Sequence, residues 1–220
     1  MAGDGAPADN AMTPLLERGI YCAVHAGDRL YQGEIVADVM EWVPQYAPDV
    51  PEYVSQVSPV QYGLALIMTQ DCDLAQDWSK RGGQPNTETD LPCVLVCRAV
   101  TAESAFSGEE RLKGKDLQRP IRNNKNERYQ YLAEVPKTAD GKTQGRVAMV
   151  VDFKALFTIR TAELYRQLRA GASPPPRRFR LETPWAEHLQ CRFANYHARI
   201  GLPRDHYVPE ARRPEPPAAH

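Results

Sequence analysis

Short runs of apolar residues, separated by turn-forming residues, extend along most of this chain. One unbroken run, Leu64–Met68, is followed at once by the polar residues of the segment Thr69–Asp73. A short continuous apolar run is typical of a strand that is buried on both faces. The polar residues after it predict a tight turn that presents side chains from a rigid scaffold. We therefore expect this strand and turn to form the centre of the fold.

The same pattern predicts further strands on both sides of the central one. Four prolines between Pro44 and Pro59 predict a long surface excursion, because proline breaks helices and central strands. The polar segment Asp77–Asp90 predicts a loop, and Asn123-Asn124 predicts a turn. The other predicted strands are residues 20–24, 30–36 with an extension over 39–43, 92–100, 129–135 and 146–153.

Helical spacing is clearest near the end of the chain. Pro184–Ile200 carries an apolar stripe at helical intervals, with Thr183 as the expected N-cap and Pro184 as the first helical residue. Two further helices are predicted over Glu109–Gln118 and Thr161–Ala170. The residues of the stripe are Trp185, Leu189, Phe193, Tyr196 and Ile200, and Arg192, Asn195 and Arg199 are expected on the solvent side.

A β-rich chain with its helices late predicts an α+β fold that is mainly β, built as a small barrel or sandwich. We expect residues 14–202 to form one domain, residues 1–13 to be a disordered tail and residues 203–220 to be an irregular proline-rich tail. Hydrophobic residues make up 42% of the chain and charged residues 25%, which allows a sizeable core.

The charge and cysteine content narrow the class of protein. The formal net charge of −1 argues against a general nucleic-acid coat, although a local basic surface is still allowed. No apolar run is long enough for a membrane helix, and the 5 cysteines have no framework spacing. We expect a reduced, cytoplasmic protein that does not contact membranes.

The segment Asp71-Cys72-Asp73 is the first candidate for chemistry. A nucleophilic cysteine needs a neighbouring cation, and the two aspartates have the opposite effect. They could instead bind a metal together with Cys72 and His25 or His188, or cap a turn or a short helix. His188 and Cys191 share one helix face but provide only two ligands, so no metal or other cofactor is expected.

Two further cysteines and a basic segment have simpler interpretations. Cys93 and Cys97 fall on one side of a strand and are expected in the core. Basic residues of the segment 111–128 precede Tyr129 and Tyr131, a combination that suits single-stranded nucleic acid but also describes a solvated loop. A second basic cluster consists of Arg177, Arg178 and Arg180.

With these strands in order, the chain resembles the PemK/MazF-like toxins. The resemblance rests on Arg18-Gly19-Ile20-Tyr21, the strand Leu64–Thr69, the strand VLVCRAVT that ends at Thr101, and Val150-Val151-Asp152. It implies an SH3-like barrel followed by short helices, and an endoribonuclease whose catalytic threonine is Thr101. The block PWAEHLQCRFANYHARIGLP also resembles the ending of bacterial proteins of no assigned activity that pair it with a QDCD turn.

The resemblance lacks one catalytic group. The family carries an Arg-Pro pair before its second strand, and this chain has Tyr62-Gly63 there. Without that arginine, nothing in the motif stabilises negative charge on a phosphate, unless Arg98 or Arg122 replaces it in space.

We therefore expect a non-catalytic binding or accessory protein with a PemK-like barrel and a C-terminal amphipathic helix. Its partner would be a protein, RNA or DNA. A toxin-type endoribonuclease that uses Thr101 and a relocated arginine is the alternative, and a metal or thiol site at Cys72 is a third possibility. The oligomeric state stays open. The expected binding residues are Gln70, Asp71, Cys72, Asp73, Arg119, Arg122, Lys125 and Arg128.

Overall fold

The computed structural model describes residues 20–24, 27–47, 50–81, 89–107, 112, 114–135, 146–169 and 178–198. The predicted tails at residues 1–13 and 203–220 lie outside these ranges. In chain order, the elements are β1 (Tyr21–Ala23), β2 (Glu34–Ala47), β3 (Val50–Ile67), α1 (Asp71–Lys80), β4 (Cys93–Thr101), α2 (Ala102–Ser107), α3 (Lys115–Arg122), β5 (Tyr129–Leu132), β6 (Met149–Arg160), α4 (Thr161–Arg169), β7 (Arg178–Leu181) and α5 (Trp185–His197).

The described strands form one antiparallel sheet of seven strands in the order β1-β7-β2-β3-β4-β6-β5. Strands β1 and β5 are its edges and do not pair with each other in the described part, so the sheet is not closed. The prediction of a mainly β fold with helices is confirmed. The described part of the chain contains no helix long and apolar enough to cross a membrane.

Core residues lie on both faces of the sheet, and helices cover each face. Ala65 and Ile67 of β3 pack with α1 and α4, whereas Leu66 and Met68 pack with α5. On β4, Val94 and Val96 share the face of Ala65, and by alternation Val100 shares it too, where it packs with α2 and α3. The central strand is therefore buried on both sides, as its apolar run predicts.

The predicted surface excursion at Pro44–Pro59 is wrong, because these residues continue β2 and β3 as a long hairpin. Strand β4 pairs with β3 only over Leu64–Ile67, and β7 pairs with β2 only over Glu34–Val36. Residues 38–62, which we call the ribbon, therefore have no strand partner except each other in the described structure, and the side chain of Gln167 on α4 bonds to the backbone of Met40 at its base. Proline is tolerated there because the outer edge of each strand needs no backbone N–H.

A second difference concerns the polar residues that follow β3. The polar turn after β3 is the first turn of α1, where Asp71 and Asp73 favour the helix N-terminus electrostatically. The loop predicted over Asp77–Asp90 is therefore wrong for residues 77–80, which belong to α1, and residues 82–88 lie outside the described residues. Leu74 is buried in the core and Trp78 packs against the same cluster, so this helix is held by its apolar face.

The remaining predictions were met in part. The strand over 92–100 and the helix over 161–170 are confirmed as β4 and α4, and the turn at Asn123-Asn124 is present. The strand predicted over 30–36 begins only at Glu34, and the one over 146–153 continues to Arg160. The helix expected over 109–118 starts at Lys115, while α2 and β7 were not predicted.

Helix α5 is present, but its contacts differ from the predicted stripe. Pro184 rather than Thr183 is the N-cap. Leu189 is fully buried, whereas the side chain of Trp185 is 45% exposed and Ala186 packs in the core instead. Ala186 lies close to Gly33, whose φ of +75° suits glycine.

Candidate functional site

Asp71 is a structural connection between the start of α1 and the segment before β2. Arg29 donates two hydrogen bonds to its carboxylate, Nη1 to Oδ1 at 3.0 Å and Nη2 to Oδ2 at 2.6 Å, and the backbone N–H of Gln32 donates to Oδ1 at 3.2 Å. Burial raises the pKa of Asp71, but Arg29 and the Gln32 N–H outweigh burial and hold that pKa below its usual value. This aspartate is thus engaged within the protein.

Cys72 is exposed and has only polar acceptors beside its sulfur. The thiol Sγ lies 3.6 Å from Oε1 of Gln70 and 3.6 Å from Oδ1 of Asp73, as donor to both. In the described residues no cation contacts this sulfur, and no group of three or more His, Cys, Asp or Glu side chains could hold a metal ion. His25 lies outside the described residues, and His188 and Cys191 are both exposed.

The basic residues of the segment 111–128 lie on α3 and the turn after it. Arg122 stacks on Phe106, with Cζ 4.4 Å from the ring centre, and lies 5.7 Å from the ring centre of Tyr131. Arg119 and Lys125 are exposed, while Arg111 and Lys113 lie outside the described residues.

Arg128 is engaged by its own carboxylate partner. It donates Nε to Oδ1 of Asp152 at 2.7 Å and Nη2 to Oδ2 at 2.6 Å. The hydrogen bond to Asp152 raises the pKa of Arg128. Two of the four predicted basic binding residues, Arg122 and Arg128, are therefore already in contact with protein groups.

The polar turn and the basic segment do not meet in the described structure. The polar turn contacts β4 at Leu95, whose N–H donates to Oγ1 of Thr69 at 2.7 Å. The basic segment packs at the other end of β4, near Val100. Five residues of extended strand separate the two, roughly 17 Å. The turn and the basic segment therefore contact opposite ends of β4.

Thr101, the threonine singled out by the family resemblance, ends β4 and caps the next helix. Its Oγ1 accepts a hydrogen bond from the N–H of Ser104 at 3.1 Å. In the described residues no arginine is hydrogen-bonded to Thr101. At the position of the family's catalytic arginine, Tyr62 donates to Oε2 of Glu41 at 2.7 Å and stacks on Phe157.

One arginine of the second basic cluster is buried, and the expected solvent position of Arg192 is wrong. Arg178 is buried and pairs with Glu34, and Arg177 lies outside the described residues. Arg192 donates to the backbone carbonyls of Asn124, Asn126 and Tyr129 instead of facing solvent. Arginine side chains that satisfy buried acceptors cannot be distinguished from surface ones by charge pattern alone.

The cysteines of β4 have different environments. Cys97 is buried, as expected, and burial raises its pKa. Cys93 is exposed at the start of the strand, so its predicted core position is wrong.

The ribbon has one exposed apolar face that the sequence analysis missed. Trp42 is 53% exposed, Tyr46 58% and Val57 54%. Residues opposite each other in a β-ladder share a face, and Trp42 pairs with Pro59 while Pro44 pairs with Val57. These five residues, Trp42, Pro44, Tyr46, Val57 and Pro59, form what we call the apolar ribbon face. The sequence signal for this face is the alternation of apolar residues at positions 42, 44 and 46 and at 57 and 59. The prolines among them concealed this strand pattern.

Comparison with protein-family models, with curated proteins and with solved structures finds no match to this chain.

Proposed function

We propose that this protein is a non-catalytic binding protein that docks onto another protein through the apolar ribbon face. The observation that carries the proposal is the exposure of Trp42, Tyr46 and Val57 on one side of a ribbon that extends beyond the sheet. Exposed apolar patches of this kind mark interaction sites, and aromatic residues contribute strongly to binding energy.

The geometry of the ribbon favours recognition over internal packing. Its residues pair only with each other, and the opposite face carries Gln45, Gln56 and Ser58. The opposite face also carries Val43 and Val60, which are less exposed, so the large exposed apolar side chains of the ribbon are concentrated on the apolar ribbon face. The two prolines restrict the backbone, which lowers the entropy lost on binding.

The charge of this region favours a protein over nucleic acid. The sequence contains no lysine or arginine between Arg29 and Lys80, and the described part of the ribbon carries Asp38 and Glu41. Nucleic-acid binding depends on cations that neutralise phosphates, and this region has none. An apolar groove bordered by lysine or arginine on a different protein is the complementary surface.

A face-specific cross-linking experiment tests the proposal. A photoreactive amino acid replaces Val57 on the apolar ribbon face or, as a matched control, its neighbour Gln56 on the polar face. In the native host we expect one discrete adduct from position 57 and none from position 56. The adduct should disappear when Trp42→Ser and Tyr46→Ser are added. The partner so identified should bind the purified chain less tightly as salt rises.

Four results contradict the proposal, and three of them are adducts of the wrong kind. They are equal adducts from positions 56 and 57, an adduct that survives the change at Trp42 and Tyr46, and an adduct with twice the mass of this chain. The last would mean that the apolar ribbon face joins two copies of the protein. No adduct from position 57 would equally remove the proposal.

We also propose that the seven-stranded sheet is an opened version of the PemK-like barrel that the resemblance implies. Strong curvature supports this. Arg146, which precedes β6, lies with Cζ 4.7 Å from the ring centre of Phe179 on β7. Three strands separate β6 from β7 in the sheet, and in a flat sheet that spacing would be about 19 Å. An experimental structure with a flat sheet would remove this proposal.

A further inference from the structure

A solvent-accessible cavity of about 480 Å³ lies where the start of α1, strand β7 and the first turns of α5 come together. This volume is in the range of small-molecule sites. The cavity uses none of the residues of the apolar ribbon face. The polar side chains important for its chemistry are Gln32, Asp71, Arg180, Glu182, Glu187 and Gln190.

Arg180 presents a positioned guanidinium to this cavity. Its Nε donates to Sγ of Cys22 at 3.0 Å, and its Cζ lies 4.4 Å from the ring centre of Tyr31. Its two Nη atoms donate to no acceptor among the described residues. A guanidinium fixed at Nε and by stacking, with both Nη atoms available, matches the two oxygens of a carboxylate.

Gln190 provides a second donor without a partner. Its Nε2 is buried and has no hydrogen-bond partner among the described residues. A buried donor left without an acceptor costs free energy, and such groups in proteins are normally satisfied. Gln190 lines the cavity, so a change of its rotamer that turns Nε2 into the cavity would let a ligand oxygen satisfy it.

The cavity also carries negative charge. Glu187 accepts from Oγ1 of Thr183 at Oε1, 2.9 Å away, which leaves Oε2 without a described partner. Glu182 also lines the cavity and adds a second carboxylate. The charge of Asp71 is balanced by Arg29. One available guanidinium therefore faces two available carboxylates.

We propose that this cavity binds a small zwitterion of the α-amino-acid class. The ligand carboxylate lies on Arg180 and Gln190, and its ammonium lies near Glu187 and Glu182. A phosphate or another multiply charged anion fits less well, because the two glutamates would repel it. The same glutamates would attract the ammonium group of an amino acid.

Titration calorimetry on the full chain with the free proteinogenic amino acids tests the proposal. We expect saturable binding of at least one of them. Its N-acetyl derivative, which lacks the ammonium, and its methyl ester, which lacks the carboxylate, should each bind roughly ten- to hundredfold more weakly, the loss expected for one charge-assisted hydrogen bond. Inorganic phosphate should not compete.

Two variants and two controls link the binding to the cavity. Arg180→Lys removes the two Nη donors of the guanidinium but keeps the positive charge. Glu187→Gln removes the negative charge of an exposed residue of α5. Each should weaken binding by roughly ten- to hundredfold. The controls Arg119→Lys and Glu134→Gln, both exposed and outside the cavity, should leave it unchanged. If Arg180→Lys fails to fold, Glu187→Gln decides the question.

Absence of saturable binding by any free amino acid would overturn the proposal. So would binding that Glu187→Gln leaves unchanged, or binding that the N-acetyl derivative and the methyl ester both retain. None of these results depends on the apolar ribbon face, so the two proposals stand or fall separately.

Discussion

The guanidinium of Arg178 on β7 lies against the carboxylate of Glu34 on β2, inside the sheet. Nε is 2.6 Å from Oε1 and Nη2 is 3.2 Å from Oε2, and the side chains are only 2% and 0% exposed. Arg178 also donates to the backbone carbonyls of Asp28 and Arg29. The pair therefore joins β7 to β2 and to the segment that leads to Asp71.

Glu34→Gln should destabilise the protein by about 3–5 kcal/mol, because it leaves the buried charge of Arg178 without its counter-ion. The double change Glu34→Leu with Arg178→Met should recover part of that loss, because it removes both charges together. Urea unfolding of the wild-type protein and the variants measures both effects. Glu103→Gln, an exposed residue of α2, is the control. A loss below about 1 kcal/mol for Glu34→Gln would show that the pair is not important for stability.

Asp71 should contribute a pH-dependent part of the stability. Its pKa is lowered in the folded protein, so its contribution is present above the unfolded value near 3.9 and is lost as the pH falls through the lower folded value. The side chain is 48% exposed, so the effect should be below about 1 kcal/mol. The free energy of unfolding of wild type minus that of Asp71→Asn should therefore shrink from about pH 5 downwards. A difference that stays constant at acid pH would contradict this assignment.

Two substitutions on the same strand should separate the core from the apolar ribbon face. Leu66→Ala should cost about 2–5 kcal/mol, since Leu66 is fully buried between the sheet and α5. Val57→Ala should stay within about 0.5 kcal/mol, because its side chain is more than half exposed. Thermal and urea unfolding check both values. If Val57→Ala costs as much as Leu66→Ala, the ribbon must be buried in solution, for example against a second copy of the chain.

The parts of the fold that follow from local burial were predictable. An unbroken apolar run predicted the C-terminal end of β3, and helical periodicity predicted most of α4 and α5. The ribbon could not be predicted in the same way, because proline is excluded only from strands with neighbours on both edges. Whether a strand has one neighbour or two is a property of the whole sheet. The prolines of Pro44–Pro59 were therefore interpreted as a loop.

The candidate site depended even more on long-range contacts. Glu34 and Arg178 are 144 residues apart in the chain, so neither residue reveals from the sequence that the other neutralises it. Arg180 is only two residues from Arg178, yet it faces a cavity. Charge pattern alone places both arginines in one basic cluster, and both share one face of β7. Their different positions along that strand put Arg178 against Glu34 and Arg180 at the cavity.

Thr101 should affect stability and not growth. Thr101→Ala removes the acceptor of the Ser104 N–H at the start of α2 and should cost about 1 kcal/mol, whereas Thr101→Ser keeps that acceptor. Urea unfolding measures the cost, and expression of the wild-type chain in a bacterial host measures toxicity. We expect that expression does not inhibit growth of the host and that the purified protein does not cleave single-stranded RNA. Growth inhibition and RNA cleavage that Thr101→Ala abolishes would instead support the toxin-type endoribonuclease.

Arg192 should anchor α5 to the turn before β5. Its guanidinium donates to three backbone carbonyls, those of Asn124, Asn126 and Tyr129, and burial lowers its pKa. Arg192→Met keeps the aliphatic stem but leaves those carbonyls without this donor, so we expect a loss of about 2–3 kcal/mol. Hydrogen exchange should show faster exchange in α5 and in residues 123–129 of the variant, with β3 and β4 little changed. Arg119→Met, on an exposed side chain of α3, is the matched control and should have no such effect. Faster exchange throughout the sheet would mean that Arg192 supports the whole fold and not the docking of α5 alone.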